Sequence, residues 1–113
     1  SADADITALG IDSKELFLLA EIDDHPYPAE LATTMSMPKA TVTVYLKRLE
    51  AAGLVRRQID SADLRRHRLE LTPAGRRATK DGLALLSEAF GERLERLTRT
   101  QQKELKTLLE QIL

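Results

Sequence analysis

The pattern of the chain predicts a mainly α-helical fold that carries one small β-hairpin. Three observations lead there. Short apolar stripes recur at helical spacing through "ELFLLAEI", "ELATTM" and "TVTVYLKRLE". A single pair of segments, "LVRRQI" and "HRLELT", brackets the polar tip "DSADLRR". After Thr72-Pro73 the apolar positions settle into one long seam. With 113 residues the chain supports one domain and one modest core, and a composition 42% hydrophobic, 31% charged and 4% aromatic suits a helix-rich globular body.

The first helix is announced by Asp12 as cap and Glu15 as its capping-box partner, with Ile11 and Leu16 placed as a hydrophobic staple. Leu16, Leu19, Ala20 and Ile22 are its candidates for the core, and Asp23 to Pro26 end it. A second short helix begins near Pro28, a residue suited to a first turn, and offers Leu31, Ala32 and Met35. After a break at Ser36-Met37, a third helix opens with Pro38 in its first turn. Val42, Leu46 and Leu49, with Tyr45 beside them, form its inner stripe. Ala40, Thr43, Val44 and Lys47 then face away, with Thr41 and Arg48 on the flank, and Gly53 closes the helix as a C′ residue. The joint between these two helices fits a helix-turn-helix and equally an ordinary αα-hairpin.

In the second strand Leu69 and Leu71 face one side while Arg68 and Glu70 face the other. A helix-turn-helix followed directly by such a hairpin is a winged helix, with Arg65, Arg66 and Arg68 at the tip and outer edge of the wing. Thr72 as cap and Pro73 at the first position start a long helix from about Ala74 to Leu97, with Leu83, Leu86, Phe90, Leu94 and Leu97 along its seam. Gly82 and Gly91 weaken this helix and allow it to bend. Thr98 and Gln101 make another capping box, and the last helix carries Leu105, Leu108, Leu109 and Ile112. The terminal helices hold more apolar stripe than one small core needs. Folding back on the domain is one outlet for it; a subunit interface is the preferred one, because exposed apolar seams are rarely left to water.

Charge divides the chain. Residues 36–77 hold ten basic and four acidic residues, a surplus of +6, so the remainder carries -7 to reach the overall -1. Such a split marks a polyanion-binding face on an acidic body, although a solvated basic surface has the same composition. There is no cysteine, which rules out disulfides and thiolate metal sites in this chain. His25 and His67 stand alone, and no phosphate-binding glycine loop, G-x-S-x-G or H-E-x-x-H motif points to an enzyme or calls for a cofactor. No apolar run is long enough for a membrane span, and "SADADITALG" does not read as a signal peptide, so a cytoplasmic protein is expected.

The stretch "LATTMSMPKATVTVYLKRLEAAGLVRRQIDSADLRRHRLELTPAG" resembles the MarR family of bacterial transcriptional regulators. Three parts carry the likeness at fixed spacing: "TVTVYLKRLEAAGLV", the Asp63-Leu64-Arg65 wing tip, and "LTPAG" at the end of the second wing strand. The resemblance implies a homodimer that reads a pseudo-palindromic operator in double-stranded DNA, with no membrane partner. On this resemblance the third helix is expected to enter the major groove, with Lys39, Ala40, Thr41, Thr43, Val44 and Lys47 as its candidate contacts. The resemblance likewise implies that the wing, with Asp63, Arg65, Arg66 and Arg68 as candidates, reaches the flanking minor groove. Asp63 and Arg65 match the family's Asp-x-Arg motif, in which the arginine inserts and the aspartate orients it. Narrow minor grooves concentrate negative potential and attract arginine for the same reason. Arg56 and Arg57 read as phosphate contacts or wing braces.

The function so implied is a repressor released by a small effector, aromatic or of another kind. The alternative is a winged-helix protein-interaction module that does not bind DNA. Residues 11–75 would form the DNA-binding region and 76–113 the helical dimerisation region of one compact domain. Departures from the family pattern are Val44 where Arg or Lys is frequent, Lys47 in place of an acid, Pro38 in place of a capping Ser or Thr, Ser36 in place of a turn glycine, and Tyr27 where a Thr often caps. The family's usual first helix is expected to be missing, because only Ser1 to Ile11 precede the helix that starts at Asp12.

Overall fold

Capping chemistry places the first helix. The computed structural model describes residues 10–112, so the expectation of a missing front helix falls largely outside the described residues. Helix α1 spans Ser13–Glu21. The Glu15 amide donates to the Asp12 carboxylate at 2.7 Å, and the Asp12 amide donates back to Glu15 at 3.3 Å. Each bond satisfies an amide that the helix cannot reach internally. Ile11 and Leu16 are both buried, as a staple requires. Leu18, which the sequence reading passed over, is fully buried beside Leu19 and Ile22, whereas Ala20 is only half-buried.

Helix α2 spans Pro28–Met35 and ends on Ser36, a left-handed residue with φ of 53°. Only glycine adopts that conformation without a Cβ penalty, so the turn holds a strained serine where the family pattern has glycine. Helix α3 spans Lys39–Ala51. Pro38 is its N-cap rather than part of its first turn: the proline is extended, with ψ of 145°, and its carbonyl accepts from the Thr41 and Val42 amides. Val42, Leu46 and Leu49 turn inward and are fully buried. Gly53, at φ of 73°, then reverses the chain.

Strands β1 (Val55–Ile59) and β2 (His67–Leu71) form a two-stranded antiparallel sheet in which Val55 faces Leu71, Arg57 faces Leu69 and Ile59 faces His67. Only the base of the hairpin is buried, through Val55, Leu69 and Leu71. There the Leu69 amide donates to the Pro26 carbonyl at 2.7 Å and fastens the wing to the chain leaving α1.

Helix α4 spans Pro73–Leu94 and starts as the "LTPAG" segment suggests. The Thr72 hydroxyl accepts from the Gly75 amide at 3.0 Å and donates to the Gly53 carbonyl at 2.6 Å. Gly75 is obligatory for a packing reason: a Cβ there would lie 2.0 Å from the Leu54 carbonyl oxygen. Gly82 also permits a close contact, since a Cβ there would meet the Leu16 side chain at 2.6 Å where α4 crosses α1. The helix stops at Leu94, three residues short of the expected Leu97. The side-chain amide of Gln102 explains the stop by donating to the Leu94 and Leu97 carbonyls. Helix α5 spans Arg99–Ile112 behind the Thr98–Gln101 capping box, in which both bonds form. No described residue of α5 is buried. The apolar core therefore lies between Ile11 and Leu71, and the terminal helices extend from it in an elongated molecule of 53 × 32 × 22 Å.

Candidate nucleic-acid interface

Burying Val42, Leu46 and Leu49 leaves the opposite face of α3 to solvent. Lys39, Ala40, Thr43, Val44 and Lys47 are all exposed, and Thr41 is half-buried on the flank. Val44 is 50% exposed, a large apolar side chain in open water on the outer face of a helix. Such a side chain can contact a thymine methyl group. The Thr43 hydroxyl donates to the Lys39 carbonyl at 2.9 Å. Its proton is thus used within the helix, and what it offers outward is a methyl group and an acceptor.

The wing tip is organised by two carboxylates. Asp63 accepts from the Arg65 amide at 3.0 Å and from the Arg65 Nε at 3.2 Å, while the side chain of Arg65 remains 92% exposed. The guanidinium is thus aimed without being covered. These Arg65 donors hold the Asp63 carboxyl below the usual carboxylate range. Asp60 accepts from the Ala62 amide at 2.8 Å and from the Tyr27 hydroxyl. The Tyr27 bond is the first cause of a lowered Asp60 pKa, and the same bond raises that of Tyr27.

The structure separates residues that the sequence groups together. Arg66 lies flat on the Tyr27 ring, 3.6 Å from its centroid. With Tyr27, His67, Lys39 and Thr43 it lines a cleft of about 330 Å3 between α2, α3 and the wing, so one concavity joins the outer helix face to the wing. Arg68 points elsewhere. Strand alternation puts it in a second cleft with Arg56, Glu70, Asp23 and Arg76. Arg56 and Arg57 act as braces: Arg56 pairs with Glu70 across the strands at 3.1 Å, and Arg57 reaches Glu50 of α3 at 2.6 Å. Tyr27, Asp60 and His67 adjoin these candidate residues, and sequence reasoning did not place them at the site. A tyrosine in a cap position that cannot bond its own helix was the available signal, and α2 indeed has no side-chain cap.

Away from this face, Phe90, Leu94, Leu105 and Leu109 line an apolar groove of about 660 Å3 between α4 and α5, rimmed by Arg99, Lys103 and Lys106. Among the described residues no cluster of His, Asp or Glu could hold a metal ion, and no helix is long and apolar enough to cross a membrane.

Comparisons with known proteins agree with this geometry. The chain is 32% identical over 111 residues to an HTH-type transcriptional repressor of Mycobacterium tuberculosis, covering 96% of this chain and 80% of that one. Its fold superposes on apo MarR from E. coli with a TM-score of 0.89 at 23% identity, covering 99% of this chain and 85% of MarR. It also superposes on the S. aureus MepR–DNA complex with a TM-score of 0.83 at 21% identity, covering 98% and 84%. The sequence profile of the MarR family matches residues 9–66, and together with the mycobacterial relative this establishes that the chain belongs to the MarR family.

Proposed function

We propose that this chain is a transcriptional regulator that binds double-stranded DNA and represses by occupying promoter sites. One observation carries the reading: an arginine pre-aimed by Asp63 stands at the tip of a wing that shares a cleft with the exposed face of α3. On this reading α3 enters the major groove, where Lys39 and Lys47 supply charge and Thr41, Thr43, Ala40 and Val44 meet base edges and methyl groups. Arg65 enters the adjacent minor groove, and Arg66 and Arg68 meet phosphates on the two sides of the wing. The mycobacterial relative is named a transcriptional repressor, and MepR was solved on DNA with the same fold.

Residues 76–113 serve as the dimerisation region. The exposed Phe90, Leu108 and Leu109 support that role, because a second copy would remove them from water. A two-fold dimer then presents two copies of α3 to a pseudo-palindromic operator about one helical turn apart. A small effector that favours a different spacing of the two helices would release the DNA. The chain is read as a regulator rather than an enzyme, acting in the bacterial cytoplasm where promoter DNA lies.

The test is fluorescence anisotropy of a labelled duplex from beside the protein's own gene, run across a salt series against a scrambled duplex. Binding that favours the native duplex, falls by about 0.9 log units per phosphate contact per log unit of salt, and weakens in Arg65→Ala is the expected result. No binding by the wild type at low salt would overturn the reading.

A further inference from the structure

The base of the wing and its tip are held in different ways. Val55, Leu69 and Leu71 are buried at the base, and the Leu69 amide bonds the Pro26 carbonyl. From Arg56 to Arg68 no residue is buried, and Ile59 and Leu64 are 63% and 77% exposed. A two-stranded ribbon with no buried face does not hold its own direction in water. Among the described residues, the hydrogen bonds and ring contacts that join the tip (60–66) to the rest of the fold all come from one side chain, Tyr27.

Tyr27 is well placed for this. Its carbonyl accepts from the Leu31 amide and so belongs to the start of α2, which fixes the ring relative to the helix-turn-helix. Its hydroxyl donates to Asp60, whose other oxygen holds the Ala62 amide. Its ring carries the Arg66 guanidinium. The Arg66 carbonyl in turn accepts from the Asp60 amide, and the Arg66 amide donates to the Asp63 carbonyl, at 2.9 Å each. Asp63 then aims Arg65. A continuous run of contacts thus leads from the N-terminus of α2 to the exposed arginine of the wing.

We infer that Tyr27 is a positioning residue that sets the pose of the wing tip, beyond the Arg57–Glu50 brace that ties β1 to α3, and thereby determines how strictly the flanking minor groove is read. The inference rests on the DNA-binding reading and adds a specificity determinant to it. Tyr27 lines the cleft shared with Lys39 and Thr43, so a change in its hold moves the wing tip relative to the outer face of α3, while the wing base and the Arg57–Glu50 brace stay in place. Loosening the tip therefore costs discrimination at the bases beneath the wing and spares discrimination beneath α3.

Two measurements on the full chain test this. Amide hydrogen exchange of the free protein compares wild type with Tyr27→Phe, which removes the hydroxyl bond, and Tyr27→Leu, which also removes the ring. Exchange at residues 60–66 is expected to rise in that order while α1, α2 and α3 keep their protection; unchanged exchange at the tip would overturn the inference. The second measurement uses the duplex that wild type enriches from a random pool, with one derivative altered beneath the wing and one altered beneath α3. Wild type should lose about tenfold in affinity on either derivative. Tyr27→Leu should keep the α3 penalty and lose most of the wing penalty. Retention of both penalties, or a parallel fall of both, would sink the positioning role, the second by marking Tyr27 as merely structural. A wild type that enriches no duplex overturns the DNA reading itself, and the exchange arm, which needs no DNA, distinguishes that failure from a failure of Tyr27 to hold the tip.

Discussion

The two ends of the molecule treat their apolar side chains in opposite ways. Between Ile11 and Leu71 the inward-facing leucines, isoleucines and valines of α1, α2, α3 and the wing base close on one another, and nine of the side chains are almost wholly inaccessible. Beyond Leu85 and Leu86, which still pack against that core, much of the apolar seam stands in solvent: Phe90 is 55% exposed and Leu108 60%. Both regions carry apolar stripes at helical spacing. The difference is that the first set has enough neighbours within one chain to exclude water and the second does not. The first region closes within one chain with the start of α4 packed on it, and on the dimer reading proposed above the second is the surface that a second copy covers.

This contrast is open to direct attack. The largest effect is expected in the core, where Leu46→Ala should cost about 2–5 kcal/mol in urea unfolding because the closed site cannot collapse around the lost atoms. The paired substitution Phe90→Asp with Leu109→Asp should leave that unfolding transition nearly in place. In sedimentation equilibrium it should instead weaken assembly by about 2 kcal/mol or more, as expected when central apolar anchors are charged. If the pair unfolds the chain as Leu46→Ala does, the two regions form one cooperative core and the contrast is lost. Smaller again is Lys39→Ala on α3, which should disturb neither stability nor assembly and lower the salt slope of DNA binding by about 1.

The least effect comes from pH. The Asp60 and Asp63 carboxyls are held low by the Tyr27 hydroxyl and by Arg65 respectively. A lowered folded-state pKa contributes order that is fully present above the ordinary carboxylate range and is lost as pH falls through the lowered values. The side-chain carboxyl carbon shifts of Asp60 and Asp63 should therefore be flat from about pH 5 to 8 and change only in more acid solution. A tip that melts near neutrality would contradict this account of its two turns.

The same contrast explains what could be read in advance. Helix periodicity, the Asp12–Glu15 and Thr98–Gln101 boxes and the Thr72-Pro73 start are local, and each formed as its residues indicate. The exposed face of α3 followed as the complement of its buried stripe. What could not be read depends on residues far apart in the chain. Leu18 is buried because helices close over it, Gly82 is needed because Leu16 lies across from it, and α4 ends at Leu94 because Gln102 reaches back to its carbonyls. The pairing of Tyr27 with Asp60 and Arg66 spans more than thirty residues, and no local pattern encodes it. Arg65, Arg66 and Arg68 look like a single cluster when written in a line, yet the wing turns them toward different surroundings.

The carboxylate of Asp63 has a consequence that runs against simple charge counting. It is a negative group within a surface we assign to a polyanion, so Asp63→Ala makes the wing more positive, and Coulomb attraction alone would favour tighter binding. But the carboxylate confines a long, otherwise freely rotating side chain to one direction. An unconfined arginine must give up that freedom when it enters a groove, a loss on the order of 0.5–1.5 kcal/mol for a flexible side chain. Removing the negative charge should therefore weaken DNA binding, most visibly at high salt, where the Coulomb gain is screened and the lost rotational freedom is not.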